Sequence, residues 1–169
     1  RTEAYRVGDK LDEQTDMGCL IDEAAARRVD QMVQEALAAG ATLLTGGKRQ
    51  GTRFAPTVLE NVPTACALAR DEVYGPVTIL YRFRTLDEAI AVANDVNYGL
   101  QAGIFTRDLQ TAFRAAAELH VGGVMVNEST DYRIDAMPFG GVKGSGLGRE
   151  GVKFAVQEMT EPKVVCFNL

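Results

Sequence analysis

Apolar and polar positions along the chain alternate between two periods. Ala25, Val29, Val33, Ala36 and Leu37 recur at helical spacing, with Arg27, Arg28, Gln31 and Glu35 on the opposite side. This predicts a helix over residues 22–39, with Asp22 as N-cap and Gly40 as the C-terminal stop. Residues 41–45 then read as a short strand and 48–53 as a polar turn. A second strand is expected over 54–59, which Pro56 demotes to an edge or an irregular piece. Residues 77–83 are strand-like. Thr85 followed by Glu88 has the spacing of a capping box and opens a helix with Leu86, Ala89, Ile90 and Ala93 inward. A strand over 101–105 precedes a helix capped by Asp108, with Leu109, Ala112, Phe113, Ala116 and Leu119 inward, and 124–126 reads as a buried strand. Val152, Ala155, Val156 and Met159 mark a last helix, and residues 163–167 a terminal apolar strand in search of a partner. Strands alternating with helices predict an α/β fold with a largely parallel open sheet flanked by helices. Ligand-binding loops then belong beyond the carboxyl ends of the strands.

Composition narrows the function. Hydrophobic residues make up 46% and charged residues 24% of the 169 positions, which places the chain among ordinary globular domains. A formal net charge of −5 argues against nucleic acid or an anionic membrane as partner. No apolar run is long enough to span a bilayer. Cys19, Cys66 and Cys166 are odd in number and widely spaced, which fits a reducing, cytoplasmic setting better than a disulfide framework. They read as structural. So does the single histidine, His120, near the end of a predicted helix, and no metal site is expected.

The densest chemical signal is residues 137–150. Five glycines, Gly140, Gly141, Gly144, Gly146 and Gly148, follow Pro138-Phe139 and lead into the last helix. Ordering glycine is entropically costly, so such a loop is built for a particular shape. Gly146, Gly148 and Gly151 match the spacing of a dinucleotide fingerprint, but no strand immediately precedes them and no acidic residue follows at the required distance. A phosphate-binding P-loop is excluded by the lack of a Gly-Lys-Ser/Thr run at the right spacing. A purely structural loop, in a non-catalytic α/β interaction module, is the alternative.

Pro138-Phe139-Gly140-Gly141, with Lys143, Ser145-Gly146 and Gly148-Arg149-Glu150, closely resembles the C-terminal signature of the NAD(P)-dependent aldehyde dehydrogenases. Further matches occur in the family's order: Asp9, Asp16-Met17-Gly18, Pro56-Thr57, Glu72-Val73-Tyr74-Gly75-Pro76-Val77, Asn94 with Tyr98-Gly99-Leu100, Gly103-Ile104-Phe105-Thr106-Arg107-Asp108, and Gly122-Gly123-Val124-Met125-Val126-Asn127. Together they run nearly end to end.

The resemblance implies that residues 1–159 are the C-terminal portion of a catalytic domain and 160–169 an oligomerisation strand that joins like subunits. It implies oxidation of an aldehyde to the acid with NAD or NADP. It assigns no catalytic residue to this chain, since the family's cysteine nucleophile and glutamate base lie upstream of the matched region. The isolated chain is therefore expected to be inactive. Glu72 matches an acidic residue that binds the nicotinamide ribose, and Tyr74 an aromatic packed beside the nicotinamide. On its own chemistry, Glu72 reads as a solvated charge before a turn. Phe139 matches an aromatic of the substrate tunnel. Residues 128–137 match the loop that sets substrate preference, and their polar character implies a small oxygenated or anionic aldehyde such as lactaldehyde, a semialdehyde or phosphonoacetaldehyde. Arg133 is the only cation in that loop and is the candidate for gripping the substrate's anionic end. Its alternative role is an internal tie to Asp131 and Asp135.

Overall fold

A computed structural model of the chain describes residues 1–169. The chain forms two compact units, Arg1–Arg82 and Phe83–Leu169.

In the first unit, α1 (Glu23–Ala38) begins where Asp22 accepts a 2.7 Å hydrogen bond from the Ala25 amide. Its apolar stripe buries Ala26, Val29, Met32, Val33 and Ala36. Gly40, at φ 102°, then turns the chain into β1 (Thr42–Thr45). A hairpin follows, β2 (Arg49–Gln50) and β3 (Arg53–Phe54), where a polar turn was expected. β4 (Thr57–Glu60) pairs antiparallel with β1 and parallel with β5 (Val77–Leu80), so it is the central strand of three. Of the two alternatives expected from Pro56, the edge is thus corrected, while the irregularity is present as a break at residues 55–56 between β3 and β4. Pro56 lies one residue before the strand, where its missing N–H costs the ladder nothing, and the Thr57 amide donates to the Pro76 carbonyl at 2.8 Å. The short helix α2 (Ala67–Arg70) connects β4 to β5. Val29, Val33, Phe54 and Leu59 form the centre of the core, each at most 1% exposed.

The second unit starts with α3 (Leu86–Asn94), whose first turn is held by Thr85 accepting from the Glu88 amide at 3.2 Å. Glu88 returns a bond to the Arg84 amide, one residue beyond the usual capping-box position. β6 (Gln101–Ile104) and β7 (Gly123–Val126) pair in parallel, with α4 (Leu109–Glu118) as the crossover between them. Asp108 caps α4 through the Thr111 amide. The inward face expected for α4 is corrected: Ala115 is buried, whereas Leu109 and Phe113 are 61% and 72% exposed. α5 (Val152–Met159) likewise leaves Val152, Val156 and Met159 exposed. Residues 161–169 form neither helix nor strand within the chain. No helix is long and apolar enough to cross a membrane.

Candidate functional site

The candidate residues fall into two hollows, one in each unit. In the first, Glu72 and Tyr74 line an open hollow of about 700 Å³ together with Cys19, Leu20, Ile21 and Arg28. The backbone here is held from α1. The Arg28 guanidinium donates to the Glu72 carbonyl at 3.5 Å and to the Val73 carbonyl. Gly75 sits so close to Val29 that a Cβ would come within 2.7 Å of a Val29 methyl, which pins the segment against the core. Tyr74 takes φ 47°, an uncommon conformation for an aromatic residue, and its side chain is left 70% exposed. The Glu72 side chain is also exposed. A charged acceptor and an aromatic side chain, two residues apart on a clamped turn, are thus both exposed. A carboxylate in this position can accept from two neighbouring hydroxyls at once.

In the second unit the glycine loop is shaped by contacts at single-atom range. A Cβ on Gly122 would lie 1.6 Å from the Gly140 carbonyl oxygen, and one on Gly99 would lie 2.3 Å from the His120 carbonyl oxygen. Only glycine permits these approaches. The Val142 amide donates to the Gly99 carbonyl at 2.9 Å and the Gly144 amide to the Asn97 carbonyl at 2.7 Å. Ser145 accepts from the Gly99 amide at 2.9 Å. Lys143 donates to the Asn94 and Val96 carbonyls at the end of α3, at 3.2 and 2.7 Å, a position where a cation also complements the helix dipole. These contacts place the loop against the amino ends of β6 and β7. Sheet topology had pointed to the carboxyl ends, and the close glycine approaches override that general rule.

Phe139 and Glu150 close the loop through a two-way backbone bridge of 3.1 and 2.6 Å. This bridge sets the position of Arg133. Its guanidinium carbon stands 4.1 Å from the centre of the Phe139 ring, and its Nη2 donates to the Glu150 carboxylate at 2.9 Å. The internal tie to Asp131 and Asp135 is therefore not the one formed; Ser129 donates to Asp131 instead. Arg133, Phe139, Tyr132, Gln101 and Gly123 share the wall of a hollow of about 170 Å³. A cation stacked on an aromatic face and charge-balanced on one edge is held in a fixed orientation.

Glu72 and Tyr74 thus meet in one hollow, and Arg133 and Phe139 in the other. Arg28 and Glu150 were missed from the sequence. Arg28 reads as part of the polar face of α1, and Glu150 lies 17 residues beyond its partner Arg133. The motif containing Glu150 was visible, but its pairing was not.

Comparison with known proteins gives these geometries a context. The sequence model of the aldehyde dehydrogenase family matches residues 1–165. An aspartate-semialdehyde dehydrogenase from Pseudomonas canavaninivorans is 54% identical over 169 residues, covering all of this chain and 36% of that protein. The crystal structure of an aldehyde dehydrogenase from Physcomitrella patens, in complex with the reaction product succinate, superposes with a TM-score of 0.92 at 44% identity, over 95% of this chain and 33% of that one. A glyceraldehyde-3-phosphate dehydrogenase from Methanocaldococcus jannaschii, complexed with NADP, gives a TM-score of 0.89 at 45% identity, over 94% of this chain and 34% of that one. The chain therefore spans about a third of the length of the relatives it matches. With a match from residue 1 to residue 165, the chain belongs to the aldehyde dehydrogenase family.

Proposed function

We propose that these residues form the ribose-binding and substrate-binding part of an NAD(P)-dependent aldehyde dehydrogenase that oxidises a small polar or anionic aldehyde to the carboxylic acid. The observation that carries the reading is Arg133 held 4.1 Å over Phe139 in the wall of one hollow. An apolar ring beside a guanidinium suits a short aldehyde with an anionic far end. Nη2 is engaged by Glu150, which leaves the other donors of the guanidinium fork for a substrate carboxylate or phosphonate. Three relatives support the anionic class by their own substrates or ligands: an aspartate-semialdehyde dehydrogenase, an enzyme with bound succinate, and a glyceraldehyde-3-phosphate dehydrogenase.

The acceptor at Glu72, with Tyr74 beside it, suits the ribose and ring of a nicotinamide dinucleotide. In this reading its exposed carboxylate accepts from the ribose hydroxyls and Tyr74 flanks the ring, while Arg28 keeps their backbone in place. When bound, the dinucleotide supplies the hydride acceptor. The cysteine nucleophile and the glutamate base come, in this reading, from parts of the enzyme outside residues 1–169, and the isolated chain is inactive. The apolar tail at 163–167 pairs with another subunit, which accounts for its exposed Val164 and Phe167.

The test is Arg133→Leu in the complete enzyme. A charge-assisted bond of about 1.5–3 kcal/mol corresponds to a loss of roughly 10- to 150-fold in kcat/KM for anionic aldehydes. Uncharged aldehydes of similar size should change little. Equal losses on both classes would show that Arg133 only shapes the loop, and the anionic-substrate reading would fall.

A further inference from the structure

The β2–β3 hairpin carries a second charged feature, which the dehydrogenase reading does not use. Between Glu35 and Glu60 the chain has no acidic residue, although it holds 23 in all. The cations of this stretch are Lys48, Arg49 and Arg53, all on the hairpin. Register divides them. Gln50 pairs with Arg53 and Arg49 with Phe54, and the Ala55 amide extends the ladder by donating to the Lys48 carbonyl at 2.9 Å. Side chains alternate across a strand, so Lys48, Gln50, Arg53 and Ala55 share one face. Arg49 lies on the other, where it pairs with Asp30 at 3.6 Å and donates to the Gly51 carbonyl at 3.1 Å.

Lys48 and Arg53 are exposed and have no carboxylate partner. They are diagonal neighbours across the hairpin, a separation of about 7–8 Å over which like charges repel. Small Ala55 stands opposite Lys48 and leaves space between them. Val7, buried Phe54 and the Asp30-paired Arg49 complete the lining of a hollow of about 470 Å³. An ammonium, a guanidinium and an amide donor around one open space, in a chain of net charge −5, form a concentrated site for an oxyanion.

We propose that this hairpin face binds a small multiply charged phosphate compound, at a site separate from the Glu72 hollow. Lys48 and Arg53 supply the charge and Gln50 a further donor. The anion relieves the repulsion between the two cations, which is why this face carries no internal counter-ion.

Isothermal titration calorimetry of the 169-residue chain with inorganic pyrophosphate, at constant ionic strength, tests the proposal. Saturable binding is expected, weakened at least about tenfold in the Lys48→Gln/Arg53→Gln variant. Arg53→Lys should retain most of the affinity, and Glu72→Gln should stay within about twofold. Circular dichroism checks that each variant is folded, and the Glu72 variant shows by itself whether binding is separate from the Glu72 hollow. The proposal is overturned by the absence of saturable binding or by its disappearance when sodium chloride replaces the buffer salt. It is also overturned if the loss follows Glu72, or if only long polyanions such as RNA bind.

Discussion

The two units reach the same kind of βα architecture by different means. The first is closed by apolar packing: Val29, Val33, Phe54 and Leu59 are essentially inaccessible, and Thr57 is the one buried polar residue. Even Thr57 is satisfied, accepting from the Gly47 amide and donating to the Ala55 carbonyl. In the second unit only Ile90, Ala115 and Met125 are buried hydrophobic residues, while Phe105, Leu109 and Phe113 stay exposed. There the chain is held by backbone contact through glycine and by side chains that satisfy carbonyls. A segment held by directional contacts at single-atom range keeps a defined shape without a large core. That suits the proposed role of the loop, presenting Phe139 and Arg133 at a fixed spacing. The first unit serves the opposite need, a rigid base from which Arg28 holds a short exposed turn.

The strongest way to break this contrast is to empty the first core. Phe54 is 1% exposed and sits at the end of β3 against α1. Phe54→Ala should cost about 3–5 kcal/mol, read as a lowered urea midpoint with loss of amide-exchange protection along α1. A loss under about 1 kcal/mol would mean that the first unit does not depend on apolar packing as described.

Next comes the second unit's own mode of closure. Gly122→Ala places a methyl 1.6 Å from a carbonyl oxygen on the Gly140 backbone, which no side-chain rotation can relieve. The expected cost is about 1–3 kcal/mol, with the complete enzyme's KM for aldehyde rising as the Phe139 wall shifts. Lys143→Met tests the same closure more gently. It removes two bonds to the end of α3 and should cost about 1 kcal/mol. If both variants match wild type in thermal unfolding, glycine contact and carbonyl capping are not what hold this unit.

The contrast also explains what could be read in advance. Helix caps and apolar stripes are local, so Asp22, Thr85, Asp108 and the buried face of α1 were all legible. Apolar packing leaves a periodic trace, and the first unit follows it closely. Pro56 marked the break between β3 and β4 and misled only about the edge, because a proline rule is sharp to one residue and β4 began one residue later. The stripe on α4 was real, but periodicity does not say which stripe is covered. Gly122 meets Gly140, and Arg133 meets Glu150, across loops that share no period. The glycine loop therefore revealed its importance through composition and family resemblance, and its geometry only through the structure.

The smallest effect expected concerns the Asp108 cap on α4, which shows whether side-chain capping in the second unit is electrostatic. The Asp108 carboxyl is held below the usual aspartate range, chiefly by the Thr111 hydroxyl and then by the Thr111 and Gln110 amides. A lowered native pKa means that the carboxylate binds its proton more weakly when folded. Its contribution to stability is therefore present above the unfolded value of about 3.9 and is lost as pH falls through the lower native value. Because the group is fully exposed, solvent screens it and the effect on stability is slight. Asp108→Asn keeps an acceptor oxygen for the helix amides but removes the titration. Wild type should unfold slightly above the variant at pH 6, and the gap should narrow as pH falls below about 3.9. A gap that stays constant over that range would show the cap to be a neutral hydrogen bond. Local polar contacts of the second unit would then act through geometry alone, as its glycines do.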